Sequence, residues 1–227
     1  LQSAGPGACV KHFACNSQEH KRFASDSVLD ERTLRELYLT AFEIVVRESR
    51  PAAVMSAYNK INGVHCAENR EFLSDILREE WGFDGAVVTD WGGMSDRIAA
   101  FGAGCDLMMP GGSGYLAGAG RRAAETGALD GADLDRSARR VLELMDRAVK
   151  TRRTAPAADM EGHHALARRA AAESAVLLKN DGDLLPLDEK SPVVFIGHMA
   201  GDMRYQGSGS SRIDPWRQTQ PTDACPE

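Results

Sequence analysis

The 227-residue sequence contains no apolar run long enough to span a bilayer. Its first residues, Leu1-Gln2-Ser3-Ala4-Gly5-Pro6-Gly7, lack the basic and apolar regions of a secretory signal. It has no excess of positive charge. Lys and Arg number 27 against 33 Asp and Glu, a net charge of −6, so neither nucleic acid nor an anionic membrane is an expected partner. Cysteine is scarce: Cys9, Cys15, Cys66, Cys105 and Cys225 are odd in number and scattered, with no pair at zinc-ribbon or redox spacing. They read as free thiols of a reducing, cytoplasmic compartment, with Cys9 and Cys105 as small apolar residues in or beside strands. His20, His65, His163, His164 and His198 form no ligand pattern, so no metal is expected. The Gly/Ser stretch from Gly207 to Ser211 lacks the Lys and the spacing of a phosphate-binding loop. There is no internal repeat.

What is present is a packed α/β pattern, supported by 43% hydrophobic residues. Gly85-Ala86-Val87-Val88 reads as a short buried strand that runs through Thr89 into a carboxylate, Asp90, and an indole, Trp91. An unpaired buried carboxylate is costly, so Asp90 requires a role. The plain alternative is a helix N-cap before Gly92-Gly93. Ala8–Phe13, Ala53–Asn59 and Asp106–Gly111 read as three further strands ending in or near polar groups. Parallel strands with polar groups gathered at their carboxyl ends and helices between them are the pattern of part of a (β/α) barrel.

Thr33-x-x-Glu36 has the form of a capping box, followed by Leu34, Leu37, Tyr38, Ala41, Ile44 and Val45 at helical spacing and stopped by Pro51. A second helix after Asn69 carries Phe72, Leu73, Ile76 and Leu77 on one face, with Gly82 placed for a C-terminal cap. Helices are expected from about Tyr115 to Glu125 and from about Asp133 to Thr151, the latter with an Ala138, Val141, Leu142, Met145 stripe. Residues 1–150 read as the barrel part, 151–162 as a linker and 163–227 as a second domain. That domain opens with a helix from His163 to Lys179 and contains a short extended piece, Leu184–Leu187, and a buried strand from Val193 to Gly197.

Several motifs in one order carry a resemblance: Lys11-His12-Phe13, Asn16 to Arg22, Asp30 to Glu36, Met55-Ser56-Ala57-Tyr58-Asn59 with Asn62-Gly63, and Trp81-Gly82-Phe83-Asp84-Gly85 leading into Thr89-Asp90-Trp91. Together they resemble the β-glucosidase branch of glycoside hydrolase family 3, over nearly the whole chain. The resemblance implies the C-terminal half of a (β/α)8 TIM-type barrel followed by the start of an α/β sandwich, hence an internal fragment of a longer enzyme. It implies hydrolysis of terminal non-reducing β-D-glucosyl residues with retention, a β-glucoside or oligosaccharide as the binding partner, and no cofactor. A β-xylosidase or broad-specificity β-glycosidase of the same family, and a truncated piece without activity of its own, are the competing readings.

The same resemblance makes Asp90 the nucleophile, with Thr89 where the family most often has Ser. Lys11, His12 and Arg22 match its sugar contacts, and Met55 matches a residue of the pocket floor. Trp91 is expected to wall the same subsite, and Tyr58 to hydrogen-bond Asp90 and hold it ionised. Ser210 or Ser211 lies in a loop expected to approach the sugar. Glu19, Glu68 and Asp96 are available carboxyls, but none is assigned as the acid/base, because the family's β-glucosidases take that Glu from the second domain. The loop Ala14-Cys15-Asn16-Ser17-Gln18-Glu19 lacks the Pro-Gly-His-Gly type of segment that would place the chain in the N-acetylglucosaminidase branch.

Overall fold

The computed structural model describes residues 1–112, 114–154, 156–188, 191–207 and 209–224. Two compact units divide the chain, Leu1–Ala155 and Pro156–Glu227.

The first unit is built on a parallel sheet of three strands, β1 (Cys9–Phe13), β2 (Ala53–Ser56) and β3 (Ala86–Thr89), in the order β1-β2-β3. β2 and β3 pair in straight register, Val54 opposite Val87 and Ser56 opposite Thr89. β1 joins β2 through Val10 opposite Val54 and Phe13 opposite Ser56, so three steps on one strand face two on the other. The extra residue makes a bulge at Lys11-His12, and bulges re-aim the side chains they carry.

The stretch expected as a fourth strand, Asp106 to Gly111, forms only one parallel bridge, Leu107 to Val88. The backbone groups of Met109 that would continue a ladder are taken elsewhere. Its N–H donates to Thr89 Oγ1 at 2.8 Å, and its carbonyl accepts from the Gly92 N–H at 2.7 Å. Pro110 then has no N–H to offer. A second, small sheet joins Asp26–Ser27, Lys60–Ile61 and Val64–His65. Its hairpin turns at Asn62 (φ 49°) and Gly63 (φ 90°), the left-handed pair that a tight two-residue hairpin needs.

Helix α1 spans residues 31–49 and mixes α turns with wider turns bonded i to i+5. Its cap is Asp30 and not the expected Thr33: the Asp30 carboxylate accepts from the Thr33 N–H at 2.9 Å and from the Thr33 hydroxyl at 2.8 Å. Those bonds hold the Asp30 carboxyl below its usual range. The buried face also differs from the expected stripe. Leu34, Leu39 and Val46 are inside while Leu37 and Ile44 are exposed. Turns wider than 3.6 residues carry the buried positions from Leu34 to Leu39 rather than to Leu37 or Tyr38.

Helix α2 (Glu71–Glu80) matches its expected face, with Phe72, Leu73, Ile76 and Leu77 all buried. Gly82 follows at φ 74°. Phe13 at the end of β1 meets the rings of Phe42, Phe72 and Trp81 edge-on, at centroid distances of 5.1, 6.4 and 5.9 Å, which ties both helices to the sheet. Helix α3 (Arg97–Ala103) is capped by Asp96, α4 spans Gly114–Glu125 and α5 spans Gly131–Thr154.

The expected apolar stripe of α5 does not face inward: Leu142 is 64% exposed and Met145 57%. The helix instead turns Ser137 to the Cys105 carbonyl and Arg140 to Asp106, because a buried carboxylate pulls harder on a guanidinium than the sheet does on a leucine. Cys15, Cys66 and Cys105 are buried, and burial pushes their thiols up to about 11, 12 and 12 respectively. Cys9 sits in a strand as expected but is exposed. Cys225 lies outside the described residues.

The segment expected as a linker over 151–162 is helical at both ends, since α5 continues to Thr154 and α6 (Met160–Glu173) begins before His163. In the second unit α6 is capped by Asp159, buries none of its side chains and stops at Glu173, short of Lys179. The buried strand expected from Val193 to Gly197 is absent. Ile196 is 93% exposed, and no ladder forms there among the described residues. An apolar β-forming segment becomes a strand only when a neighbouring strand takes its backbone bonds. No helix is long and apolar enough to cross a membrane among the described residues.

Candidate active site

The carboxyl ends of the three parallel strands lie side by side, and the polar residues that follow them meet there. Asp90 comes directly after β3. One carboxylate oxygen, Oδ1, accepts from the Trp91 N–H at 2.7 Å; the other, Oδ2, lies 3.2 Å from His12 Nε2. The Asp90 side chain is 16% exposed, so it is partly screened yet reachable. The bulge in β1 is what places His12 here. Asp90 does not cap the following helix; Asp96 does, accepting from the Ile98 and Ala99 N–H groups.

Tyr58 follows the end of β2 and is buried. Burial first, and then hydrogen bonding to Asp90 and its charge, push the Tyr58 phenol above its ordinary value, while Arg22 pulls it down. The phenol is therefore protonated at neutral pH and a donor toward the carboxylate. Arg22 stacks over the Tyr58 ring with its guanidinium carbon 4.3 Å from the centroid, and its Nη1 donates to Glu19 at 2.9 Å. Phe23 packs on the other part of that ring at 4.3 Å. Trp91, the next residue after Asp90, is 62% exposed.

The sequence-derived residues thus divide. His12, Tyr58 and Trp91 surround Asp90, and Arg22 reaches the group through Tyr58. Lys11 is exposed and makes no hydrogen bond or ion pair among the described residues; its charge acts on Cys9. Met55 is half-buried in β2 opposite Val88, one register step before Thr89. The Ser210 side chain lies outside the described residues, and Ser211 is exposed in the second unit.

The three spare carboxyls have structural partners. Glu19 holds Arg22 and Asn16, Asp96 caps α3, and Glu68 accepts from the Ser95 and Asp96 N–H groups at 2.8 and 2.7 Å. His65, in the small sheet, is half-buried with its Nδ1 3.3 Å from the Tyr58 carbonyl.

Sequence reasoning missed the group that anchors the strand carrying Asp90. The Asp106 carboxylate is fully buried and accepts from the Val87 N–H at 2.8 Å, from Arg78 at 2.6 Å and from Arg140 at 3.2 Å. Burial lowers the Arg78 guanidinium to about 10, against the pull of Asp106, and leaves it charged at neutral pH. A charged residue opening an apolar run, Asp106-Leu107-Met108-Met109, was the available signal. Asn59 was missed likewise: buried, it donates to the Ala14 and Lys60 carbonyls and fixes the loop after β1 to the end of β2.

A carboxylate at a sheet's carboxyl edge, backed by an imidazole, a phenol and a backbone N–H and flanked by an open indole face, can attack an electron-poor carbon of a ligand that stacks on the indole. Residues 1–144 match the glycosyl hydrolase family 3 N terminal domain. A thermostable beta-glucosidase B of Acetivibrio thermocellus is 47% identical over 217 residues, which is 96% of this chain and 29% of that protein. An exo-alpha-(1->6)-L-arabinopyranosidase of Bifidobacterium longum is 40% identical over 240 residues, covering 100% of this chain and 31% of that protein. The solved structure of beta-glucosidase 3B from Thermotoga neapolitana in complex with alpha-D-glucose superposes with a TM-score of 0.80 at 38% identity, over 98% of this chain and 32% of that one. The chain therefore spans about 30% of the length of these relatives.

Proposed function

The chain belongs to glycosyl hydrolase family 3, and we propose that it is the nucleophile-bearing part of a retaining enzyme that removes terminal non-reducing β-D-glucosyl residues. The observation that carries this reading is Asp90, held by His12 and the Trp91 N–H at the carboxyl edge of a parallel sheet. On this reading β1, β2 and β3 with their helices are consecutive units in the second half of a (β/α)8 barrel over residues 1–150. Residues 163–227 open the α/β sandwich that follows. The free thiols accord with a reducing, cytoplasmic setting.

The chemistry is a double displacement. An Asp90 oxygen forms a bond to the anomeric carbon as the glycosidic C–O bond breaks, and a general acid delivers its proton to the departing oxygen. Water then attacks the same carbon, gives its proton to that group acting as base, and frees the Asp90 carboxylate. Tyr58 and His12 orient the attacking carboxylate, and Trp91 and Arg22 border the sugar. The acid/base Glu comes from a part of the enzyme outside residues 1–227. Glu19, Glu68 and Asp96 are each committed to other partners, and the relatives are about three times as long as the chain.

The test is the chain by itself. Purified residues 1–227 are expected to show little or no turnover of a glucose disaccharide, since general acid catalysis alone contributes about 10²–10⁴-fold and the remaining barrel strands contribute positioning. A nitrophenyl glucoside, whose leaving group needs little protonation, is the sensitive substrate. Robust hydrolysis of the disaccharide would show that the acid lies within residues 1–227. The arabinopyranosidase among the relatives favours a second reading, a β-xylosidase or broader glycoside preference on the same machinery. A panel of chromogenic glycosides on the complete enzyme separates the two.

A further inference from the structure

The segment after Asp90 is tied down at successive points. The Trp91 N–H donates to the Asp90 carboxylate, the Gly92 N–H to the Met109 carbonyl at 2.7 Å and the Gly93 N–H to the Asp90 carbonyl at 2.9 Å. The far end is held by a side chain from another loop. A single oxygen of Glu68, Oε1, accepts from both the Ser95 and the Asp96 N–H, at 2.8 and 2.7 Å. Glu68 comes from the turn between the small sheet and α2, which buried Cys66 and Ala67 anchor in the core. Between the two anchored ends, residues 92–95 form one wall of a cavity of about 170 Å³, with Phe23, Tyr58 and His65 opposite. Tyr58 belongs to both the cavity and the Asp90 group.

From this geometry we infer that Glu68 is a positioning residue that sets substrate binding. Its carboxylate fixes the far end of the 91–96 segment, and with it the cavity wall, without touching the reacting atoms. The kinetic part of this inference rests on the glycosidase reading above. Removing the Glu68 oxygen frees Ser95 and the wall behind it. Asp96 still caps α3 through its own carboxylate, and Asp90 keeps the His12 and Trp91 contacts and the register of β3. Contacts of this kind act on bound substrate and transition state alike, so their loss raises KM and leaves kcat nearly unchanged. The double acceptance also separates this role from that of an acid. Gln keeps an acceptor oxygen for both N–H groups but cannot deliver a proton at neutral pH.

The experiment compares wild type, Glu68→Ala and Glu68→Gln in the complete enzyme. Amide hydrogen exchange across residues 91–96 is read alongside kinetics on a nitrophenyl glucoside. Glu68→Ala is expected to speed exchange at Ser95 and Asp96 by about tenfold, the effect of losing one charge-assisted hydrogen bond. It is expected to raise KM by a similar factor with kcat within about twofold. Glu68→Gln is expected to restore most of both. Unchanged exchange in Glu68→Ala overturns the clamp, and faster exchange with unchanged KM overturns its role in binding. A large loss of kcat in both Glu68→Ala and Glu68→Gln overturns positioning in favour of proton transfer by Glu68. If the wild-type enzyme turns over no glucoside, the functional reading fails, and the exchange data still decide whether Glu68 holds the segment.

Discussion

Replacing Asp90 by Ala in the complete enzyme is expected to lower turnover of a nitrophenyl glucoside by about 10⁴-fold or more while leaving the fold intact. The size follows from the role. On the proposed reading, loss of the carboxylate leaves no atom to form the glycosyl-enzyme bond, and no neighbouring group substitutes: Tyr58 is a protonated phenol and His12 contacts the carboxylate itself. The retained fold follows from the site's position. Asp90 lies past the end of β3, and the backbone bonds that place it, Thr89 N–H to the Leu107 carbonyl and Gly92 N–H to the Met109 carbonyl, do not involve its side chain.

A second measurement separates attack from mere charge. A mechanism-based fluoroglucoside should trap the intermediate on the peptide that contains Asp90. Label on another carboxylate would sink the assignment. A drop in melting temperature with turnover preserved would make Asp90 a structural acceptor for His12 and Trp91.

The parts of this structure that were legible in the sequence are those whose signals are local. Phe72, Leu73, Ile76 and Leu77 with Gly82 define α2 by periodicity and a left-handed stop, and both are in place. Three short β-rich runs define the strands. What was not legible depends on partners distant in sequence. Leu37 reads as a core position until wider turns rotate it outward. Leu142 reads as core until Asp106 draws Arg140 inward from 34 residues away. Val193 to Ile196 has a strand's composition, but composition supplies no neighbouring strand to pair with.

The site shows the same division. Asp90 and Tyr58 stand at strand ends and can be chosen as candidates from that alone. The approach of His12 depends on a bulge visible only once β1 is paired with β2. Asn62-Gly63 is also a local hairpin signal, and the hairpin leads to His65 and then Glu68 at the site's border.

Asp106→Ala is expected to cost about 3–5 kcal/mol of stability, the range seen when one partner of a buried ion pair is removed. Asp106 has no exposed side-chain surface, and it neutralises two guanidinium groups that are themselves only 8% and 17% exposed. Deleting it leaves both cations in the core, a cost that exceeds the Coulombic energy of either pair. It also leaves the Val87 N–H, in the middle of β3, without its acceptor. Asp106→Asn keeps the shape and an acceptor oxygen for the Val87 N–H and Arg78, so its loss should be smaller, and the part it does not recover reports the lost charge. At roughly 2–4 °C per kcal/mol for a domain of this size, the Ala variant should melt on the order of 10 °C lower. The effect reaches the candidate site because Val87 lies in β3 three residues before Asp90: Asp106 holds that strand at Val87, and Met109 holds it at Thr89. A melting temperature within about 2 °C of wild type for Asp106→Ala would show that solvent reaches Arg78 and Arg140, and that the strand holds its register without them.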